Sequence, residues 1–351
     1  MKITEKLKVD LRSDTVTLPT SKMFSAIAEA KLGDDVMEED PTVKELEKQA
    51  FSICGQEDGL LLPSGTAANL VAILSHTKPA DAVLLEEQSH IMYYEVGGIA
   101  RIAGVMPYTF KSERGHPTSE QIRENFKSGD LHTPPTVLLC LENTHNRAGG
   151  TVLGVEETQK LCDTAHSLGM KVHLDGARIF NAAQYLRCEV KDLTKYSDSV
   201  MFCLSKGLGA PIGSVLCGGR AFIQIARRMR KLIGGGMRQA GIIAAAGLVA
   251  LQEGPEQLIE DHKKAQFLAK QLVELPGISL DLDRVQTNII IFTIKYPADW
   301  FVEALAKEGV LTFSFGQNKI RMVTHKDVSF ESLPYVIERV KKVLNKGKLV
   351  F

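Results

Sequence analysis

The chain has 351 residues, with 42 Lys plus Arg against 42 Asp plus Glu, so no net field draws it to nucleic acid or to an anionic membrane. Its composition, 44% hydrophobic and 24% charged, is that of a globular protein long enough for one large and one small domain. Any anion site has to be built locally.

The N-terminal stretch MKITEKLKVDLRSD lacks the apolar core of a secretory signal, and the longest mostly apolar run, 241–251, is too short to span a bilayer. Six cysteines, at 54, 140, 162, 188, 203 and 217, form no CxxC pair, and Cys140, Cys203 and Cys217 lie in apolar runs. These features predict a cytoplasmic protein with free thiols, without a disulfide frame or a zinc site.

From about residue 45 to 255, short apolar runs alternate with helical patterns. The runs 82–85, 136–141, 171–174, 199–204 and 213–217 read as strands buried on both faces, and 156–168 reads as one of the helices between them. The polar segment 111–135, with three prolines, reads as a surface excursion holding a short helix. A large α/β domain with a mainly parallel sheet follows for residues 1–255. After Glu253-Gly254-Pro255 the pattern predicts a helix at about 256–274, then strands at 278–282, 288–294, 311–315 and 320–324. A helix near 299–308 and a basic C-terminal helix complete a smaller α+β domain over 256–351.

Three elements carry chemistry. The run Ser199-Val-Met-Phe-Cys-Leu-Ser-Lys206-Gly-Leu-Gly delivers a lysine into a loop whose glycines allow a sharp turn close to a bound group. Taken alone, Lys206 reads more readily as a surface lysine. Thirty-one residues upstream, Asp175 ends an apolar strand in Lys171-Val-His-Leu-Asp-Gly-Ala-Arg, the place where open α/β sheets bind ligands. A carboxylate there needs a partner to offset its desolvation, and a protonated pyridine nitrogen is one. Third, Ser64, Gly65 and Thr66 in LPSGTAAN open a helix and offer free N–H groups, the helix dipole and two hydroxyls to an anion. The order phosphate loop, strand-end Asp and then Lys is the layout of fold-type-I pyridoxal-phosphate enzymes. His90, after the strand at 82–85, is placed to lie against the cofactor ring.

At this point the sequence closely resembles the L-threonine aldolase family. The matching stretches are DLRSDTVTLP (10–19), GDDV-x-x-EDPTV (33–43), LPSGTAAN (62–69), LENTHNRAGG (141–150), HLDGARIFNAA (173–183), SKGLGAPIGS (205–214), GGGMRQAG (234–241) and IRMVTH (320–325). The resemblance implies a fold-type-I large domain with a seven-stranded type of sheet. It also implies a cytoplasmic enzyme of threonine breakdown that cleaves L-threonine or L-allo-threonine to glycine and acetaldehyde. By the same resemblance Lys206 holds pyridoxal phosphate as a Schiff base, Asp175 pairs with its ring nitrogen, His90 stacks on the ring, and Gly65 and Thr66 bind its phosphate. Ser13, Arg178 and Arg321 would hold the substrate carboxylate, with Arg178 also near the cofactor. Lys231 and Arg238 would reach the cofactor phosphate of a neighbouring subunit, in a dimer that pairs into a tetramer.

Cleavage of Cα–Cβ requires that bond to stand perpendicular to the ring, a torsion that guanidinium forks on the carboxylate fix. A base must also take the β-hydroxyl proton. His145, His90 and a water are all eligible. One departure stands out: many family members carry Tyr-Gly where this chain reads Val36-Met37-Glu38, which bears on side-chain or diastereomer preference. Serine cleavage and alanine racemisation are the alternatives within the same chemistry. A non-catalytic regulator is disfavoured by the joint presence of Lys206, Asp175 and Arg321. A metal hydrolase is disfavoured because neither His145 nor His173 has an HxxxH pattern or an acidic cluster beside it in the sequence.

Overall fold

The computed structural model describes residues 9–350, and the apolar runs of the sequence form the central strands of its large sheet. Ala82–Glu86, Ser199–Cys203 and Ser214–Gly218 are buried at every position. The large sheet has seven strands in the order Asp58–Leu62, Ser214–Gly218, Ser199–Cys203, Lys171–Asp175, Thr136–Glu142, Ala82–Glu86 and Met106–Phe110. The last five pair in parallel, and Ser214–Gly218 pairs antiparallel with both of its neighbours. Two of these strands, Asp58–Leu62 and Met106–Phe110, escape the sequence reading. The excursion at 111–135 does hold a short helix, Ser119–Asn125.

Parallel register brings strand ends together. Glu142 lies beside Asp175, and Asp175 beside Met201. The segments that leave these carboxyl ends carry His90, Asn146, Arg178 and Lys206, so one edge of the sheet collects all four. A helix, Gly65–His76, packs behind that edge, with Ser64 as N-cap accepting from the Ala67 N–H.

A second, four-stranded antiparallel sheet runs Phe313–Ser314, Lys319–Val323, Ile289–Ile294, Ile278–Ser279. The strand expected at 311–315 is in fact two. Val310–Leu311 pairs in parallel with Val9–Asp10, and Phe313–Ser314 turns to pair with Lys319–Val323. Val9 and Leu11 accordingly pack in the core of this second sheet, although the sequence groups the N-terminal segment with the large domain. The first eight residues, part of the stretch read as lacking a secretory signal, lie outside the described residues. Among the described residues no helix is long and apolar enough to cross a membrane, and all six cysteines are free.

The helix expected to start near 256 starts instead at Gly241 and runs unbroken to Val273, through Pro255. Its N-terminal half packs in the core of the large sheet and its C-terminal half in that of the small one, so tertiary burial overrides the Gly-Pro punctuation. Gly254 is a contact residue. A Cβ there would lie 2.8 Å from the Leu208 Cα and 3.0 Å from its carbonyl oxygen. The helix thus lies directly against the loop that carries Lys206. Gly254→Ala, which stabilises an ordinary helix interior, should here destabilise the protein by about 1–3 kcal/mol through overpacking. A denaturant midpoint equal to or above that of the wild type would show that the loop has room.

Candidate active site

Lys206 is presented by a loop pinned at both ends. Gly209 N–H donates to the Lys206 carbonyl at 2.8 Å, with Gly209 at φ +84°, and Ala210 N–H donates to the Leu204 carbonyl at 3.0 Å. A Cβ on Gly207 would lie 2.6 Å from the Leu258 Cδ2, so the buried Leu258 side chain would have to shift. The lysine is half-buried and opens on a cavity of about 300 Å³ shared with Ser13, His90, Tyr94, Arg178 and Arg321. Four of the residues singled out in the sequence therefore meet Lys206 across one space.

Asp175 lies behind this cavity, 2% exposed. Its Oδ1 accepts from the Ala177 N–H at 3.0 Å and its Oδ2 from the Asn69 amide at 2.8 Å. The same Asn69 nitrogen donates to Glu95 Oε1 at 2.8 Å, and Glu95 Oε1 holds His90 Nδ1 at 2.9 Å. His90, Glu95 and Asp175 converge so closely that their polar atoms lie within 4.8 Å of one another. Burial alone would lower the His90 pKa, but the Glu95 hydrogen bond and the Asp175 charge raise it above the usual value. Neither Asn69 nor Glu95 is assigned a role from the sequence. Asn69 does end the quoted LPSGTAAN stretch, and Glu95 offers no signal of its own.

The two arginines differ. Arg178 is committed: Nε and Nη2 grip Asp14 at 2.8 and 2.6 Å, and both side chains are buried. Burial pushes the Asp14 pKa up, but Arg178 outweighs it and holds the carboxyl well below the usual range. Arg321, 7% exposed on Lys319–Val323, has no carboxylate partner among the described residues. It donates to Asn146 Oδ1 at 3.0 Å and to the Arg12 carbonyl at 3.5 Å, and its Nε is buried without a partner. Burial and the Arg178 charge lower its pKa to about 10. A buried cation in this condition is a site for an anion. Asn146 is in turn set by Glu142, whose Oε1 accepts the Asn146 N–H at 2.8 Å while Oε2 accepts that of His90 at 2.7 Å.

His145 is placed differently from His90. It is 1% exposed, does not line the cavity, and points Nε2 at Glu86 (3.2 Å) and Glu142 (3.8 Å). The sequence reading found no acidic cluster beside it. The fold supplies one, because Glu86 and Glu142 end neighbouring regions of the sheet. Burial lowers the His145 pKa, and Glu142 and Glu86 override this to raise it.

Gly65 and Thr66 open the helix that carries Asn69. The Ser64 side chain takes the Ala67 N–H and its carbonyl that of Ala68, leaving the first two helical N–H groups for another acceptor. Lys231, Arg238 and Met37 do not line the cavity in this chain. All three are exposed, and Arg238 pairs with Asp34 at 2.8 Å.

The family model for beta-eliminating lyases matches residues 10–295. A low-specificity L-threonine aldolase 1 of Arabidopsis thaliana is 43% identical over 94% of this chain and 94% of its own. An alanine racemase of Cochliobolus carbonum, TOXG, is 33% identical over 96% of this chain and 88% of its own. Among solved structures, a Leishmania major threonine aldolase shares the fold, with TM-score 0.83 at 18% identity, over 96% of this chain and 99% of that one. The chain belongs to the beta-eliminating lyase family and, within it, to the L-threonine aldolases, with their fold-type-I architecture.

Breaking the Asp14–Arg178 pair strands a buried guanidinium. Asp14→Asn should therefore lower stability at neutral pH by about 3–5 kcal/mol, read by chemical denaturation. The native carboxyl pKa lies below its unfolded value near 3.9, so the contribution is present above about pH 4 and is lost as pH falls through the depressed native value. Wild type and variant should converge there. A deficit that does not shrink in acid would assign the effect to packing instead of charge.

Proposed function

We propose that this protein is a pyridoxal-phosphate-dependent carbon–carbon lyase that cleaves L-threonine, L-allo-threonine and related β-hydroxy-α-amino acids to glycine and an aldehyde. The observation that carries the reading is the unpaired, buried Arg321 facing the same cavity as the Lys206 amine. An α-amino acid carboxylate satisfies the first, and a carbonyl cofactor the second.

The residues fit the cofactor chemically. Lys206 would bind it covalently through Nζ, Asp175 would face its ring nitrogen, and the free N–H groups of Gly65 and Thr66 would hold its phosphate. When bound, it supplies an electron sink for the negative charge left at Cα. The chain does the rest. Arg321, with Ser13 beside the cavity, fixes the substrate carboxylate and hence the torsion about Cα. Arg178, neutralised by Asp14, contributes mainly shape and the N–H groups that Asp14 does not take. His90 donates Nδ1–H to Glu95, which leaves Nε2 as the basic nitrogen of the neutral ring. It is the proton acceptor we favour over His145, whose Nε2 faces two carboxylates away from the cavity.

We further infer a homo-oligomer with shared sites, in a reducing compartment such as the cytoplasm. Leu232 within the Lys231–Arg238 segment is exposed, as are Leu32 and Met37 on either side of Asp34, which pairs with Arg238, and exposed apolar side chains beside basic ones suit a subunit contact. Met37 would then act on a neighbour's pocket.

Alanine racemisation is the second reading, favoured by the likeness to TOXG. Incubating the purified enzyme with threonine, allo-threonine, serine and L-alanine separates them. Glycine and acetaldehyde should appear from the first two, and D-alanine as the main product would overturn the aldolase reading. Arg321→Ala should lower kcat/KM for the preferred substrate at least tenfold, the loss of roughly 1.5–3 kcal/mol from a charge-assisted contact.

Shared sites are tested by refolding Lys206→Ala together with Arg238→Ala. Each hybrid dimer would contain one site with both defects and one intact site, so activity should return in part. Tagged hybrids that form and stay inactive would assign Arg238 to its own subunit.

A further inference from the structure

The Asn69 amide has two hydrogens, and both are used on buried carboxylates, Asp175 Oδ2 and Glu95 Oε1, each at 2.8 Å. Its oxygen is 3.1 Å from His173 Nε2. That oxygen can only accept, so His173 carries its proton on Nε2 and leaves Nδ1 as an acceptor. Nδ1 is 2.9 Å from the Ser199 hydroxyl, which must then donate to it. The Ser199 oxygen in turn accepts from His76 Nε2 at 2.8 Å. The chain therefore has one direction throughout: His76 to Ser199, to His173, to Asn69, to the two carboxylates. Reversing the amide would set its oxygen against two carboxylates with no hydrogen between them, and would leave His173 facing an NH₂.

His173 is 0% exposed and Asn69 1% exposed, so no solvent can substitute for either partner. Burial lowers the pKa of His173 to about 4 and that of His76 to about 3, consistent with neutral rings whose tautomers are fixed by their partners. Burial and the Asp175 charge raise the Glu95 pKa, the strain that two nearby carboxylates impose on one another.

We propose that Asn69, oriented by His173, is a positioning residue that separates Asp175 from Glu95, holds the Asp175 carboxylate toward the cofactor ring nitrogen, and fixes the histidine that Glu95 holds. Asn69 lies on Gly65–His76, so the helix whose start would take the phosphate also steers the carboxylate at the other end of the ring. The proposal rests on the reading of Asp175 as the ring-nitrogen partner.

The test compares binding of pyridoxal phosphate with that of its 1-deaza analogue, in which carbon replaces the ring nitrogen, by titrating the apo-protein. Wild type should prefer the natural cofactor. In Asn69→Leu one of the two facing carboxylates takes a proton, so the preference should fall at least tenfold. His173→Leu should reduce it in the same direction, and His173→Gln, which keeps a donor toward Asn69, should restore it; this pair decides the matter if Asn69→Leu does not fold. Nitrogen-15 spectra of the wild-type protein should show His173 protonated on Nε2 only. Variants that discriminate as well as wild type, or an Nδ1–H tautomer at His173, would overturn the proposal. A wild type that binds both compounds equally would instead overturn the role given to Asp175.

Discussion

Asp175 stands at the carboxyl edge of a sheet whose central strands are closed to water on both faces, and most of the site is arranged around supplying donors to it there. A carboxylate that is 2% exposed needs hydrogen-bond donors around it to offset the loss of water. Here they are the Ala177 backbone N–H and the Asn69 amide, and the second has to be shared with another buried acid, Glu95. From that sharing follow the orientation of Asn69, the tautomer of His173, the position of Glu95 and the setting of His90. The apolar sheet supplies rigidity, and the polar chain behind its edge supplies the field.

The opposite wall of the cavity follows the same electrostatic logic with the signs reversed. Two buried guanidiniums line it, and the charge of Arg178 lowers the pKa of Arg321. Asp14 neutralises one of them with two short hydrogen bonds. The other is left with a neutral amide, a carbonyl and an unpartnered Nε. The asymmetry turns a pair of arginines into one structural cation and one that is free to take an anion. Glu142 joins the two walls through backbone N–H groups, touching the segment of His90 with one oxygen and that of Asn146 with the other.

Between the walls, Lys206 depends on close packing more than on charge. Its loop is pressed against the long helix Gly241–Val273 at Gly254, where a methyl group would meet the Leu208 backbone, and at Gly207, where one would displace the Leu258 side chain. That helix also carries residues of both hydrophobic cores. The lysine loop and the small sheet bearing Arg321 are thus referenced to a single rod, which fixes the distance between the groups that would hold cofactor and substrate.

The α/β class, the parallel strands and the strand-end and loop settings of Asp175 and Lys206 were legible in the amino-acid order, because apolar periodicity and glycine-rich turns are local properties, whereas Arg178 and Arg321 came forward only through the family resemblance. So was the placement of Gly65 and Thr66 at a helix start, which a Ser-Gly-Thr cap announces by itself. The tertiary structure alone decided which arginine is spent on Asp14, since those partners are 164 positions apart. It alone set Glu86 and Glu142 around His145, turned Gly254-Pro255 from a break into a contact, and gave Asn69 two acids to bridge. Each of these depends on what meets at the edge of a sheet from distant parts of the chain. A sequence pattern shows which face a residue occupies, but a hydrogen bond or a close approach exists only once the opposing group has been folded into place.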